Sequence, residues 1–262
     1  MKRASSRISF LLAAILLGSN AHAQDKVRVA HVFVALADNA HQGIVPVPAA
    51  LGNGDDADKN LYWGAAFGVR TFFCKSAEWE QIGDTLYHGG PIIETRFFRH
   101  KTSGTYLVAD AYRGSQIKQA VVDFLSAATG LAAPVKFDGS KDGPIHVNQQ
   151  ADLVVYVGHD GLMDFSLEKT FTRGTGAAKR QAIVLACASK QYFGAALKPT
   201  GAEPLLWTTN LMAPEAYTLK AALDGWIAGE TNEQIRERAA GAYAKYQKIS
   251  EKAALRLFAT GW

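Results

Sequence analysis

Apolar residues in this chain fall into short runs separated by turn residues, and the runs are of two kinds. The first kind is continuous: residues 27–36, 153–157, 182–185 and 205–209 are aliphatic and β-branched with few polar interruptions. Three of them end in Ala37-Asp38-Asn39, in Gly158-His159-Asp160-Gly161 and in Ala186-Cys187-Ala188-Ser189. Such runs, bounded by turn residues, predict strands buried on both faces of a parallel sheet. The second kind recurs at helical spacing. Ile117, Val121, Val122, Phe124 and Leu125 predict a helix with one apolar stripe against the sheet, for which Ser115 supplies an N-cap.

Between these segments the turn chemistry sets the remaining elements. A loop carrying Pro46, Pro48 and Gly52-Asn53-Gly54-Asp55-Asp56 leads to a short helix over about 60–67 closed by Gly68, and residues 69–73 read as a second strand. Residues 92–98 and 105–111 flank Lys101-Thr102-Ser103-Gly104 in a hairpin-like pattern. Beyond Thr209 the chain passes Pro214 into a helix ending near Gly229. Thr231 and Gln234 then form a capping box before a helix over 235–246, and an Ala/Leu-rich stretch reaches Phe258. Strands alternating with helices, without internal repeat or linker, predict one α/β domain over residues 24–262. The expected architecture is a doubly wound, mostly parallel sheet with helices on both faces, a hairpin insertion, and strand order 2-1-3-4.

Composition narrows the class. With 262 residues, 48% of them hydrophobic, and two cysteines, the chain is neither a disordered nor a disulfide-dense protein. The formal charge of +4 and a pI near 9.0 raise the question of a polyanionic partner. Residues 1–23 answer it: Lys2, Arg3 and Arg7, an apolar run over 8–17 and Ala21-His22-Ala23 have the order of a secretory signal peptide. Those three basic residues account for three of the four net charges, so the remainder carries +1 and a nucleic-acid partner loses its main support. No later run is long enough to span a bilayer. The expectation is a periplasmic or secreted protein without stable membrane insertion.

Chemistry concentrates at two strand ends. In a doubly wound sheet, side chains just past the carboxyl ends of neighbouring strands converge on one crevice. His159 and Cys187 each occupy such a position, as a thiol nucleophile and its imidazole base require. The backbone N–H groups of Asp160 and Gly161, with that of Cys187, are candidate oxyanion donors. Asp38 and Asn39, at the end of the first strand, and Trp207, Thr208 and Asn210 are candidates for lining a substrate site. A Cys74–Cys187 disulfide is disfavoured, because the expected strand order separates them by roughly 14 Å at about 4.8 Å per strand, whereas a disulfide needs Cα atoms within about 7 Å. His31 lies inside a strand and reads as a hydrogen-bonded structural histidine. His41, His88, His100 and His146 show no metal-ligand spacing, and residues 53–60 lack the glycine and terminal glutamate of a calcium loop. No G-x-S-x-G, H-E-x-x-H, Walker or G-x-G-x-x-G motif is present, and neither a metal nor a cofactor is expected.

The blocks Val154-Val155-Tyr156-Val157-Gly158-His159-Asp160-Gly161 and Ile183-Val184-Leu185-Ala186-Cys187, at a 28-residue spacing from His159 to Cys187, resemble the signature of the caspase, legumain and gingipain group of cysteine peptidases. Trp207-Thr208-Thr209-Asn210-Leu211-Met212-Ala213-Pro214-Glu215 and the helices after it are similar to the region following the nucleophile in bacterial caspase-like domains. The resemblance covers about residues 150–250. It implies a caspase-like fold, Cys187 as nucleophile, His159 as base and acid, a peptide or protein substrate, and a thioester intermediate resolved by water or an amine. In that family a glycine follows the histidine directly and lends its N–H to the oxyanion hole; here Asp160 stands there. Leu185, two before the cysteine, is apolar where relatives often carry a polar or acidic pocket residue. Two other readings follow: a non-catalytic envelope binding or scaffolding protein, and a transpeptidase or amidase using the same dyad.

Overall fold

Burial along the first strand shows how the layers form. The computed structural model describes residues 27–132 and 135–262; the expected export signal, residues 1–23, lies outside them. Every residue of β1 (Val29–Ala35) is buried. Ala30, Val32 and Val34 join one apolar cluster, while Phe33 and Ala35 join another on the opposite face. A strand covered on both sides has no position for a solvated side chain, which is why its sequence does not alternate. β4 (Tyr106–Tyr112), β7 (Ala151–Val157) and β8 (Gln181–Leu185) share this burial, and with β9 (Glu203–Thr208) they run parallel to β1.

Antiparallel strands complete the sheet. β3 (Ile92–His100) pairs with β4 and with β2 (Trp79–Leu86), while β10 (Phe258–Ala259) pairs with β9 at the other edge. The full order is β10-β9-β8-β7-β1-β4-β3-β2. On the Ala30 side lie α1 (Val69–Cys74), α5 (Ala216–Ala228), α6 (Asn232–Gln247) and α7 (Glu251–Leu257). On the Phe33 side lie α2 (Ile117–Thr129) and α4 (Ser189–Leu197). A small hairpin, β5 (Lys136–Phe137) with β6 (Ile145–His146), leads into the single turn α3 (Val147–Gln150) and stacks Phe137 on Phe97 at 4.0 Å. The chain is thus an α/β protein with a central, mostly parallel sheet between two helical layers. From β1 it moves to β4 on one side, then crosses back to β7 on the other. The crevice between the carboxyl ends of β1 and β7 is therefore a topological switch point.

Several local expectations change. Residues 69–73 form α1 rather than a strand: Val69 and Phe73, four apart, are the buried pair, as one helical face requires. Residues 61–68 make successive turns, so Gly68 opens a helix instead of closing one. On that side the neighbour of β1 is accordingly β4 and not the strand expected over 69–73, while the rest of the expected 2-1-3-4 order is present as β1-β7-β8. Ser115 lies within a one-turn 3-10 helix, Gly114–Gln116, and α2 has no side-chain cap. Cys74 ends α1, exposed; it and Cys187 are both free thiols. The Thr231–Gln234 capping box is present at α6. His31 is buried, its ring nitrogens 2.7 Å from Asp110 Oδ2 and 2.9 Å from Asn148 Oδ1.

One buried amide ties the excursion between β1 and α1 to the sheet. Asn60 accepts from Ala37 N at 3.0 Å through Oδ1 and donates to Ala37 O at 2.8 Å and Asn53 O at 3.0 Å through Nδ2. It substitutes for a strand neighbour just past the end of β1. Asn60→Ala should leave the Ala37 amide and carbonyl buried without partners and lower stability by about 1–3 kcal/mol, read from urea unfolding. An unchanged midpoint would show that this amide does not hold the excursion.

Candidate functional site

Register delivers the two central side chains. Val157 of β7 pairs with Leu185 of β8, so His159 and Cys187 each stand two residues beyond a matched position on strands about 4.8 Å apart. Both line one cavity of about 280 Å³ at the switch point. Residues 43–47 after β1, the Leu61-Tyr62 turn, Met163 and the segment 211–214 after β9 close it.

The histidine is held from three directions. Gly158, with φ of +147°, passes so close to β1 that a Cβ would lie 2.7 Å from Ala35 O; only glycine suits this bend. The buried Tyr156 hydroxyl donates to the His159 carbonyl at 2.8 Å. His159 Nε2 lies 2.7 Å from Asp164 Oδ2, and the same oxygen accepts the Gly43 amide at 3.0 Å. The carboxylate orients the ring with a proton on Nε2, which leaves Nδ1 as the basic nitrogen. Nδ1 makes no hydrogen bond among the described residues.

Asp160 explains how Asp164 reaches back. Its Oδ1 accepts from Leu162 N at 3.0 Å and caps the 3-10 turn Gly161–Met163, which turns the chain so that Asp164 faces His159. The other oxygen, Oδ2, is buried without a partner. Burial, opposed by the Leu162 amide and reinforced by the Asp164 charge, pushes the Asp160 carboxyl up to about 7.

Cys187 sits at a tight strand-to-helix junction. Ala188, the next residue and the N-cap of α4, is left-handed with φ of +46°, a conformation that costs a non-glycine residue about 1–3 kcal/mol. Its amide donates to Asn210 O at 2.9 Å. The thiol donates to Met212 O at 3.6 Å and accepts from Met212 N at 3.4 Å. No hydrogen bond joins it to His159. Burial raises the Cys187 pKa, the Met212 amide opposes this, and a charged Asp160 adds to it. The resting Cys187 is a neutral thiol. The amides of Cys187 and Asp160 donate to no other described residue.

The other expected site residues have supporting positions. Asp38 is buried against Gly54 and Gly114 and accepts from Ala40 N at 2.9 Å, with His41 Nδ1 2.8 Å away. Asn39 clamps its own loop, Nδ2 donating to Val47 O at 2.8 Å and Oδ1 accepting from Val47 N at 3.1 Å. Neither lines the cavity; together they shape the loop that does. Trp207 is in the core of the Phe33 face, beside Trp262, and pairs with Ala259 of β10. The chain's own last strand occupies the edge at which Trp207 was expected to meet substrate. Thr208 is also fully buried: its hydroxyl donates to Ala186 O and accepts from Ser189 N at 3.1 Å, while Ser189 Oγ accepts from Thr208 N at 3.0 Å. It pins the Cys187 junction to β9. Asn210 is exposed and borders a neighbouring hollow with Arg256 and Ile249.

Asp164, Tyr62 and Met212 are the members that sequence reading missed. Tyr62 is buried beside Cys187, which helps hold its phenol protonated after burial itself. Asp164 stands five positions after His159, beyond a 3-10 turn that no spacing rule for helix or strand marks. No group of three or more His, Cys, Asp or Glu among the described residues is placed to hold a metal ion.

Two outcomes follow. Thr208→Val removes the hydroxyl at constant shape and should cost about 1–3 kcal/mol, measured by chemical unfolding; no loss would mean the junction does not rely on it. Asp160 binds a proton in the folded state between its unfolded value, near 4, and about 7, so stability falls as pH rises through that window. Asp160→Asn keeps the Leu162 acceptor and should remove this decline, on the order of 3 kcal/mol between pH 4 and 8. Parallel pH profiles of variant and parent would contradict the assignment.

Comparison with protein-family models, with curated proteins and with solved structures finds no match, so the chemistry of the cavity is read from its own geometry.

Proposed function

We propose that the chain is a cysteine hydrolase acting on peptide bonds, with Cys187 as nucleophile, His159 as base and acid, and Asp164 as the group that orients the histidine. The observation that carries this reading is a single one: a thiol and a carboxylate-oriented imidazole line the same cavity, two residues past the matched ends of adjacent parallel strands.

The chemistry runs as acyl transfer. His159 Nδ1 takes the Cys187 proton as the sulfur attacks the substrate carbonyl carbon and its π electrons move to oxygen. The Cys187 and Asp160 amides are the donors available to that oxyanion, so Asp160 N–H stands where the resembled peptidases use a glycine. Collapse breaks the C–N bond, and His159 gives its proton to the departing amine. Water, deprotonated by the same nitrogen, then attacks the thioester, releasing the acid and restoring the thiol. The order of the His and Cys blocks on consecutive strands supports a caspase-like arrangement of the sheet, and residues 1–23 support export to the periplasm or beyond.

A second reading, a binding protein without turnover, draws on the elevated thiol pKa and its engagement with Met212. One experiment separates the two. Under reducing conditions the purified chain should be labelled by an acyloxymethyl ketone peptide probe, with labelling lost in Cys187→Ala and lowered at least a hundredfold in His159→Ala. Asp164→Asn should lower it ten- to a thousandfold, as expected for loss of an orienting partner that leaves the base in place. Equal labelling of parent and Cys187→Ala would sink the hydrolase reading.

A further inference from the structure

The walls of the cavity specify more than the reaction. Besides His159, Cys187 and Tyr62, its lining is apolar, drawn from Ile44, Val45, Leu61, Met163, Leu211 and their neighbours. Among the described residues no Asp, Glu, Lys or Arg lines it. A charged side chain entering there would lose its hydration and find no counter-ion, which disfavours acidic and basic side chains alike. Hydrophobic walls accept aliphatic or aromatic groups instead. At about 280 Å³ the space is at the small end of ligand pockets, which begin at roughly 300 Å³; it suits one large side chain with the scissile carbonyl, not a folded partner.

The rim points the same way. Val45 is 83% exposed, Leu211 67% and Met163 41%, and all three belong to this cavity. They come from three separate loops, after β1, after β9 and after β7. Apolar side chains gathered from distant parts of the chain at one mouth, and left uncovered, mark a surface that binds apolar matter. The loop bearing Val45 is rigidly built, through the Asn39 clamp on Val47 and the Gly43–Asp164 hydrogen bond, so the rim is a fixed feature of the site.

Building on the Cys187–His159 reading, we propose that the substrate is a peptide with a large apolar residue, such as Leu, Met or Phe, immediately on the acyl side of the bond cleaved. Its side chain fills the cavity, and Val45, Met163 and Leu211 cover it from the mouth. The specificity is thus set by loops on three elements and not by Leu185, which is buried in the sheet.

The test has a turnover arm and a binding arm. Peptide amides differing only at that residue (Leu, Met, Phe, Asn, Asp, Arg) are offered to the full chain, and a fatty-acyl thioester is offered beside them. The same peptides are titrated into Cys187→Ala by calorimetry. Leu, Met and Phe should exceed Asp and Arg at least tenfold in kcat/KM, with the same order in affinity for Cys187→Ala. Val45→Asp and Met163→Lys, both at exposed positions, should narrow that ratio at least threefold, the first in favour of Arg and the second in favour of Asp. A flat or charge-preferring profile that still depends on Cys187 overturns the substrate assignment and leaves the hydrolase standing. Turnover of the fatty-acyl thioester with no peptide cleaved overturns the peptide class. Apolar-peptide binding to Cys187→Ala without turnover by the parent supports the pocket and removes the hydrolase. Neither binding nor turnover overturns both.

Discussion

Burial of the central strands on both faces is the constraint from which the site follows. β1, β7 and β8 lie between two helical layers, so beyond the half-buried Asp152 and Gln181 near their starts no partly solvated polar side chain stands along them. A group that must meet a substrate has to stand past a strand end, where one layer gives way to loops. Parallel neighbours end side by side, and that brings the residues two beyond Val157 and Leu185 to one cavity. The left-handed Ala188 and the close pass of Gly158 over Ala35 are local strains accepted so that both chains can turn away immediately after delivering those residues.

Around this crevice, short polar side chains take the place of regular structure. Asn60 continues the bonding of β1 after the strand has ended, Asn39 closes its loop on Val47, Asp160 caps a single 3-10 turn, and Thr208 with Ser189 locks the Cys187 junction. Each satisfies backbone groups that would otherwise be buried unpaired. The rigidity of the cavity is therefore carried by amide and hydroxyl groups, while its surface is apolar.

That division explains what could be read from the sequence. Continuous apolar runs mark β1, β7, β8 and β9 because double burial erases alternation, and the capping box marks α6 because a specific pair of hydrogen bonds needs Thr231 and Gln234. His159 and Cys187 were legible from the strand ends they follow. β2 was not, since only its first residue, Trp79, is buried and an edge strand needs little apolar pattern. Residues 69–73, Val-Arg-Thr-Phe-Phe, suit strand or helix by composition, and a five-residue window lacks the length to decide. The burial of Trp207 depends on β10, two residues long, whose Ala259 lies 52 positions away and for which no local pattern exists. Asp164 escaped because a 3-10 turn brings positions five apart together, a spacing that matches neither helix nor strand.

The hydrogen bond from Gly43 to Asp164 joins the wall of the cavity to the residue that orients the histidine. A side chain added at Gly43 would meet Asp164 Oδ1 at 2.6 Å, so the loop cannot be rebuilt there without moving that carboxylate. Recognition and proton transfer consequently share one joint. A lineage altering residues 43–47 to admit a different side chain would shift the imidazole as well, so new preferences would arise with simultaneous changes in rate. Met163 belongs to the turn that aims Asp164 and is tied to it as well, whereas Leu211 makes no such link among the hydrogen bonds of the site and is the part of the rim on which selectivity can drift alone.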